Sequence, residues 1–205
     1  AYPDEDDPHG LAPSSRAPRR ALLQAFGEEE QEELALTPEN KTAQREGLIA
    51  MYHALGGEGW TRNRSWTDGE PCGGNGTQPW YGLECSGDAV VKLNLHRNQL
   101  RGRLPEGLFR GVPHLREVRL YENELSGPIP EDLLRHTPNV VLALLRNNAL
   151  SGTIPEGLLQ SVPKMWGFDF SSNRLSGTLP SEWLSHTPLM KVVYLNSNQL
   201  SGTVP

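Results

Sequence analysis

The sequence predicts an α/β solenoid, a stack of like coils carrying a parallel β-sheet with a helical cap at the amino-terminal side. Three observations predict it. Asn98, Asn123, Asn148, Asn173 and Asn198 recur 25 residues apart. After each comes a fixed series of Leu, Gly, Leu/Ile/Val and Pro, as in Leu125, Gly127, Ile129 and Pro130. Ahead of the first unit stands an apolar, helix-patterned stretch followed by Trp60, Trp66 and Trp80.

Each part of the unit has a physical job. In the second unit, Leu115, Val118 and Leu120 space the apolar positions, with Val118 and Leu120 inward and Arg119 outward. One short strand cannot bury its apolar face alone, so neighbouring units must stack and share a core. The strands then pair in parallel, about 4.8 Å apart. Asn follows because its amide can bond buried backbone groups that the turn leaves unpaired. Gly suits positive φ or close backbone approach, and the Pro after it keeps the chain extended. Leu133 with Leu134, and Leu158 with Leu159, close the far side of each coil. Pro113, Pro138, Pro163 and Pro188 end those segments, which are expected to be short 3-10 or irregular turns. Ser126, Ser151, Ser176 and Ser201 fit hydroxyls on an ordered turn.

The stretches NELSGPIP, NALSGTIP, NRLSGTLP and NQLSGTVP, and more loosely NQLRGRLP, carry a family resemblance. They resemble the N-x-L-S-G-x-I-P signature of plant-type leucine-rich repeat proteins. Trp80, Gly82 and Cys85 are similar to the W-x-G-x-x-C that precedes the first repeat in the amino-terminal cap of such proteins. The resemblance covers about Thr42 to Pro205. It implies a leucine-rich repeat horseshoe whose parallel strands line a concave face. In that family this face binds proteins, peptides or sugars, and the repeats are not catalytic.

The chain divides into an acidic, largely extended segment over 1–41, the cap over 42–89 and five repeats over 90–205. Pro3, Pro8, Pro13 and Pro18 forbid a sustained helix at the start, whereas residues 19–36 have helical composition. That short helix is either a docking segment or a strap on its own cap. In the cap, Thr42 can serve as N-cap, with Leu48, Ile49, Met51, Tyr52 and Leu55 mostly on one face and Gly56-Gly57 as the stop.

The two cysteines, Cys72 and Cys85, both fall in the cap. Pairing them would stabilise the fold by about 3 kcal/mol on the loop-entropy estimate. Two free thiols or half a metal site is the alternative, and no C-x-x-C or clustered His completes a zinc site. A disulfide implies an oxidising compartment, extracellular or secretory, or alternatively an organelle lumen. Asn40, Asn63 and Asn75 begin Asn-X-Ser/Thr triplets and are glycosylation candidates, all outside the repeats.

Residues 1–36 hold nine acidic residues and three Arg, which accounts for the net charge of −6. The repeats and cap are balanced, which argues against nucleic-acid binding by bulk charge. No apolar run approaches the roughly 18 residues that would span a bilayer. The chain begins at Ala1 without a signal-peptide pattern, which suggests a mature form or a fragment, and no cap follows Pro205. No G-x-S-x-G, H-E-x-x-H or phosphate loop occurs, His136 and His186 stand two coils apart, and neither a cofactor nor a metal is expected.

Function should therefore lie in the outward strand positions that do not repeat. By column these are Lys92, His96 and Arg97; Glu117, Arg119 and Tyr121; Leu142, Leu144 and Arg146; Asp169; and Val192 with Tyr194. Leu142 and Leu144 are apolar where water is expected. This marks either a contact surface or a drift of register in VVLALLRNN. The expected activity is non-catalytic recognition of a protein or peptide. The alternative is an accessory subunit docked into a larger assembly through its extension and its open carboxy-terminal end.

Overall fold

The computed structural model describes residues 34–74 and 76–204. The acidic segment up to residue 33 lies outside the described residues, as do Asn75 and Pro205; of the short helix expected over 19–36 only residues 34–36 are described, and they are not helical.

Helix α1 spans Pro38–Ala54 and begins earlier than the expected Thr42. Thr37 is the N-cap, its backbone extended and its hydroxyl accepting from the Asn40 N–H at 3.3 Å. Pro38 at the first helical position and Glu39 in the first turn suit a helix start, so Thr37-Pro38-Glu39 prevails. Thr42 instead donates its hydroxyl back to the Pro38 carbonyl at 3.0 Å. The helix therefore straddles the expected division at residues 41 and 42, and Asn40 belongs to its first turn. A short 3-10 turn, Gly57–Gly59, follows.

Strands β1 (Leu83–Ser86) and β2 (Ala89–Asn94) form an antiparallel hairpin. The second strand then starts a parallel sheet, one strand per coil. Its members are β4 (Glu117–Arg119), β6 (Leu142–Leu144), β8 (Gly167–Asp169) and β10 (Val192–Tyr194). The segments after each recurring Asn build a second parallel sheet from β3 (Arg101–Arg103), β5 (Glu124–Pro128), β7 (Ala149–Gly152), β9 (Arg174–Gly177) and β11 (Gln199–Leu200). The pattern of one unit shows only a turn and extended chain there. Stacking makes it a sheet, because each extended segment meets the same segment of the next coil. The far side of each coil is irregular, closed by bonds such as Leu133 N–H to Pro130 O at 3.2 Å and Thr137 N–H to Leu134 O at 3.1 Å.

The core is one continuous cluster. Leu48, Met51 and Tyr52 of α1 and its C-cap Leu55 pack with Trp60, Trp66 and Trp80, and these join Leu93, Leu95, Leu100 and the inward residues of every coil. The aromatic rings interlock, with centroids 5.1 Å apart for Tyr52–Trp60 and 4.9 Å for Trp60–Trp66. Each indole N–H finds a carbonyl: Leu55 O at 2.9 Å, Tyr81 O at 3.0 Å and Asp68 O at 2.6 Å. The Cys72–Cys85 disulfide ties this region to β1. Buried Gln44 clasps the next turn, donating to Asp88 O and accepting from the Val90 N–H, both at 2.9 Å. Helix α1 meets the first coil so closely that a Cβ on Gly111 would lie 2.5 Å from the Ala43 carbonyl.

The recurring Asn is a clamp between coils. Asn148 donates to Leu145 O in its own coil and Leu120 O in the preceding one, both at 3.0 Å. Its Oδ1 accepts from the Leu125 N–H at 3.0 Å. Asn123, Asn173 and Asn198 repeat the pattern. Asn98 has no preceding coil and exchanges bonds with the Arg62 backbone instead, at 2.7 and 2.9 Å. The residue before each Asn sits at positive φ: Arg97, Glu122, Asn147, Ser172 and Ser197.

Replacing Asn148 by Ala should therefore leave carbonyls of two coils unpaired and cost about 2–4 kcal/mol. Urea unfolding followed by Trp fluorescence checks this, and a loss below about 1 kcal/mol would contradict the clamp. For the helix start, Thr37→Ala should cost about 1 kcal/mol and Thr42→Ala clearly less, by the same measurement. The reverse order would restore Thr42 as the cap.

Candidate partner-binding face

The outer side of the first sheet is built by strand alternation. Val118, Ala143, Phe168 and Val193 point into the core, so their flanking residues face the other way. Register fixes two columns: Lys92, Glu117, Leu142, Gly167, Val192, and Asn94, Arg119, Leu144, Asp169, Tyr194. Leu142 and Leu144 thus lie on this concave side, and the register does not drift.

A third column forms a ladder of rings and charge. The His96 ring stacks on Tyr121 with centroids 4.7 Å apart, and the Arg146 guanidinium lies over the same ring at 4.0 Å. These residues stand one period apart, so the spacing was visible in the sequence, but the stacking was not. A cation over an aromatic face is attracted to its quadrupole, and more strongly when water is excluded.

The charges are paired along and across the strands. Lys92 Nζ lies 3.0 Å from Glu84 and 3.9 Å from Glu117. Arg119 donates to Glu117 through Nε at 3.1 Å, with a second nitrogen 2.9 Å away. Arg146 stands 3.8 Å from Asp169, which also accepts from the Ser171 hydroxyl at 2.6 Å. Arg97 meets Glu122 at 2.6 Å on the rim. Burial holds Arg119 down to about 10, with Arg146 adding to the effect, and it still carries its charge at neutral pH. Burial also raises Glu117, against the pull of Lys92. His96 is lowered by burial first, then by Arg62 and Arg97.

The sequence suggests a solvent-facing surface across all five coils, and this is corrected for the middle ones. Arg119 and Asp169 are 0% exposed, and Arg146, Tyr121 and Leu144 are 1% exposed, with Leu142 buried beside them. Side chains of adjacent coils lean on one another, and carboxylates partner the guanidiniums. The positions that keep some exposure are Lys92, His96 and Arg97 in the first coil, Glu117 beside Lys92 in the second, and Val192 with Tyr194 in the last. Among the described residues, no group of His, Cys, Asp and Glu is arranged to hold a metal ion, and no helix is long and apolar enough to cross a membrane. Past the last coil lies an apolar cleft of about 390 Å³, lined by Leu179, Trp183, Leu184, Val193, Leu195 and Leu200.

Compared with solved structures, the chain resembles a Pollen Receptor Kinase 3 at 29% identity and a TM-score of 0.64, over 77% of this chain and 73% of that one. The fold is that of a plant-type leucine-rich repeat protein. The BIR3–SERK2 complex from Arabidopsis thaliana matches at 26% identity and a TM-score of 0.62, over 80% and 85%. A plant ice-binding protein matches at 25% and 0.66, although the chain spans only 49% of it. No protein-family model and no curated protein sequence matches the chain.

The lowered His96 gives a pH prediction. Its folded pKa lies below the ordinary value of about 6.5, so the unfolded chain takes up this proton first. Stability from this group is present above that value and lost as pH falls through it. His96→Phe, which keeps a ring against Tyr121, should unfold with less loss between pH 7.5 and 5.5 than the parent chain. Equal slopes in urea titrations would remove His96 from the account.

Proposed function

We propose that this leucine-rich repeat chain is a non-catalytic recognition module that binds a protein or peptide through its concave face, in an extracellular or lumenal compartment. The observation that carries this reading is the division of labour among the columns. The repeated letters are spent on core, turn and Asn ladder, whereas the letters that vary are aligned on one face of one sheet. In the middle coils the varied residues pack on one another, and toward the ends they supply a distinctive surface. The similarity to BIR3–SERK2, a complex between two proteins, supports a protein partner. The similarity to an ice-binding protein shows why the face, and not the fold, must carry the reading. The disulfide supports an oxidising compartment.

In this reading the buried middle sets the shape of the face and its ends make the first contacts. Lys92, His96 and Arg97 offer cationic and hydrogen-bonding groups at one end. Val192 and Tyr194 offer an apolar, aromatic pair at the other. Affinity capture from the native source, quantified against Lys92→Glu, Tyr194→Ala and the exposed far-side control Arg135→Ala, tests it. The partner bound by the parent chain should fall about tenfold or more with the concave variants, roughly 1.4 kcal/mol or more, and stay level with Arg135→Ala. Loss with the control alone would move the site to the other side of the coils.

A further inference from the structure

We propose that, of the two Asn-X-Ser/Thr asparagines among the described residues, Asn40 is the one this fold accepts as an N-glycan carrier, and that Asn63 is reserved as a structural amide. The assignment rests on the compartment reading above. Both triplets satisfy the same sequence rule, Asn40-Lys41-Thr42 and Asn63-Arg64-Ser65, so sequence alone does not separate them. Their surroundings do.

Asn40 lies in the first turn of α1, where Thr37, Pro38, Glu39, Thr42 and Ala43 are exposed with it. Its backbone N–H is taken by Thr37, but among the described residues its carboxamide enters no hydrogen bond. A sugar on Nδ2 there breaks no side-chain hydrogen bond among the described residues. Asn63 is half-buried behind the aromatic cluster. Its Nδ2 donates to the Gly57 carbonyl at 3.3 Å and to the Tyr52 hydroxyl at 3.5 Å. The Tyr52 ring in turn stacks on Trp66 at 5.9 Å and meets Trp60 edge-on. Space is tight here too, since a Cβ on Gly57 would fall 2.1 Å from the Tyr52 ring. Linking a sugar to Asn63 would remove one N–H and push the amide out of this seat.

The chemistry is a transfer from a lipid-diphosphate-linked oligosaccharide. Asn40 Nδ2 forms a bond to the anomeric carbon and gives up one proton to a base of the transferase. The carbon–oxygen bond to the diphosphate breaks, and the lipid diphosphate leaves with the electron pair. In the folded chain the triplet is closed, because the Asn40 N–H and the Thr42 hydroxyl are both held inside the helix turn. Transfer therefore precedes folding of α1, and the fold decides which products are tolerated.

The test is the full chain secreted from a eukaryotic host, with site occupancy read by enzymatic deglycosylation in heavy-oxygen water and peptide mass spectrometry. Asn40 should be occupied and Asn63 unmodified in the folded protein. Asn40→Gln should lose one glycan mass with no change in melting temperature. Asn63→Ala should keep the Asn40 glycan and lower the melting temperature by about 2–4 °C, also in unglycosylated protein refolded from bacteria. A glycan on Asn63 of the folded protein, an empty Asn40, or an Asn63→Ala melting temperature equal to the parent overturns the assignment. If the recombinant chain carries the Asn40 glycan while protein from the native source carries none at any triplet, the compartment reading fails and the assignment to Asn40 stands.

Discussion

The Asn clamp between coils is the interaction on which the rest depends. A coil with two short strands and an irregular far side leaves backbone carbonyls pointing inward at the corner after the first strand. No secondary structure within the coil can satisfy them. One side chain with two donors and a strong acceptor, placed once per period, does so in its own coil and the one before. This locks the spacing of the coils, and that spacing creates both sheets. It also explains the positive φ one residue earlier, which turns the chain so that the Asn side chain enters the corner.

The first clamp has no coil beneath it, and that determines how the amino-terminal side is built. Asn98 is served by the backbone of Arg62, whose guanidinium lies over the Tyr81 ring at 5.1 Å. The Cys72–Cys85 disulfide and the Gln44 clasp anchor the same loops. Removing this support would expose the apolar side of the first coil and leave one ladder Asn unpaired, so its many Trp side chains serve hydrogen bonding as much as burial.

The architecture was legible because it depends on identity at fixed spacing. Core positions, Asn ladder, parallel first sheet and disulfide all follow from residues that recur or stand alone. Three features were not legible, each for a physical reason. Thr37 and Thr42 are both competent caps, and the choice between them rests on Pro38 and Glu39 acting together. The second sheet arises only when extended segments stack, which no single unit reveals. Burial of Arg119, Tyr121, Arg146 and Asp169 depends on contacts between side chains a full period apart, whereas strand alternation says only which side each one faces. The side of the sheet that each column faces was therefore legible, but the accessible part of that side is smaller than the columns imply.

Fold and proposed function thus draw on different letters of the same period. The Asn column sets where every strand lies, and the varied columns decide what the concave face presents. Amide hydrogen exchange tests the structural half of this claim most directly. The backbone N–H groups of Leu100, Leu125, Leu150 and Leu175 lie in turn-flanking positions, yet each donates to the Asn one coil ahead. The clamp predicts that all four exchange as slowly as the core strand amides, only through global unfolding. Exchange at the rate of the exposed far-side turns would show that the coils are held by apolar packing alone, and would contradict the account.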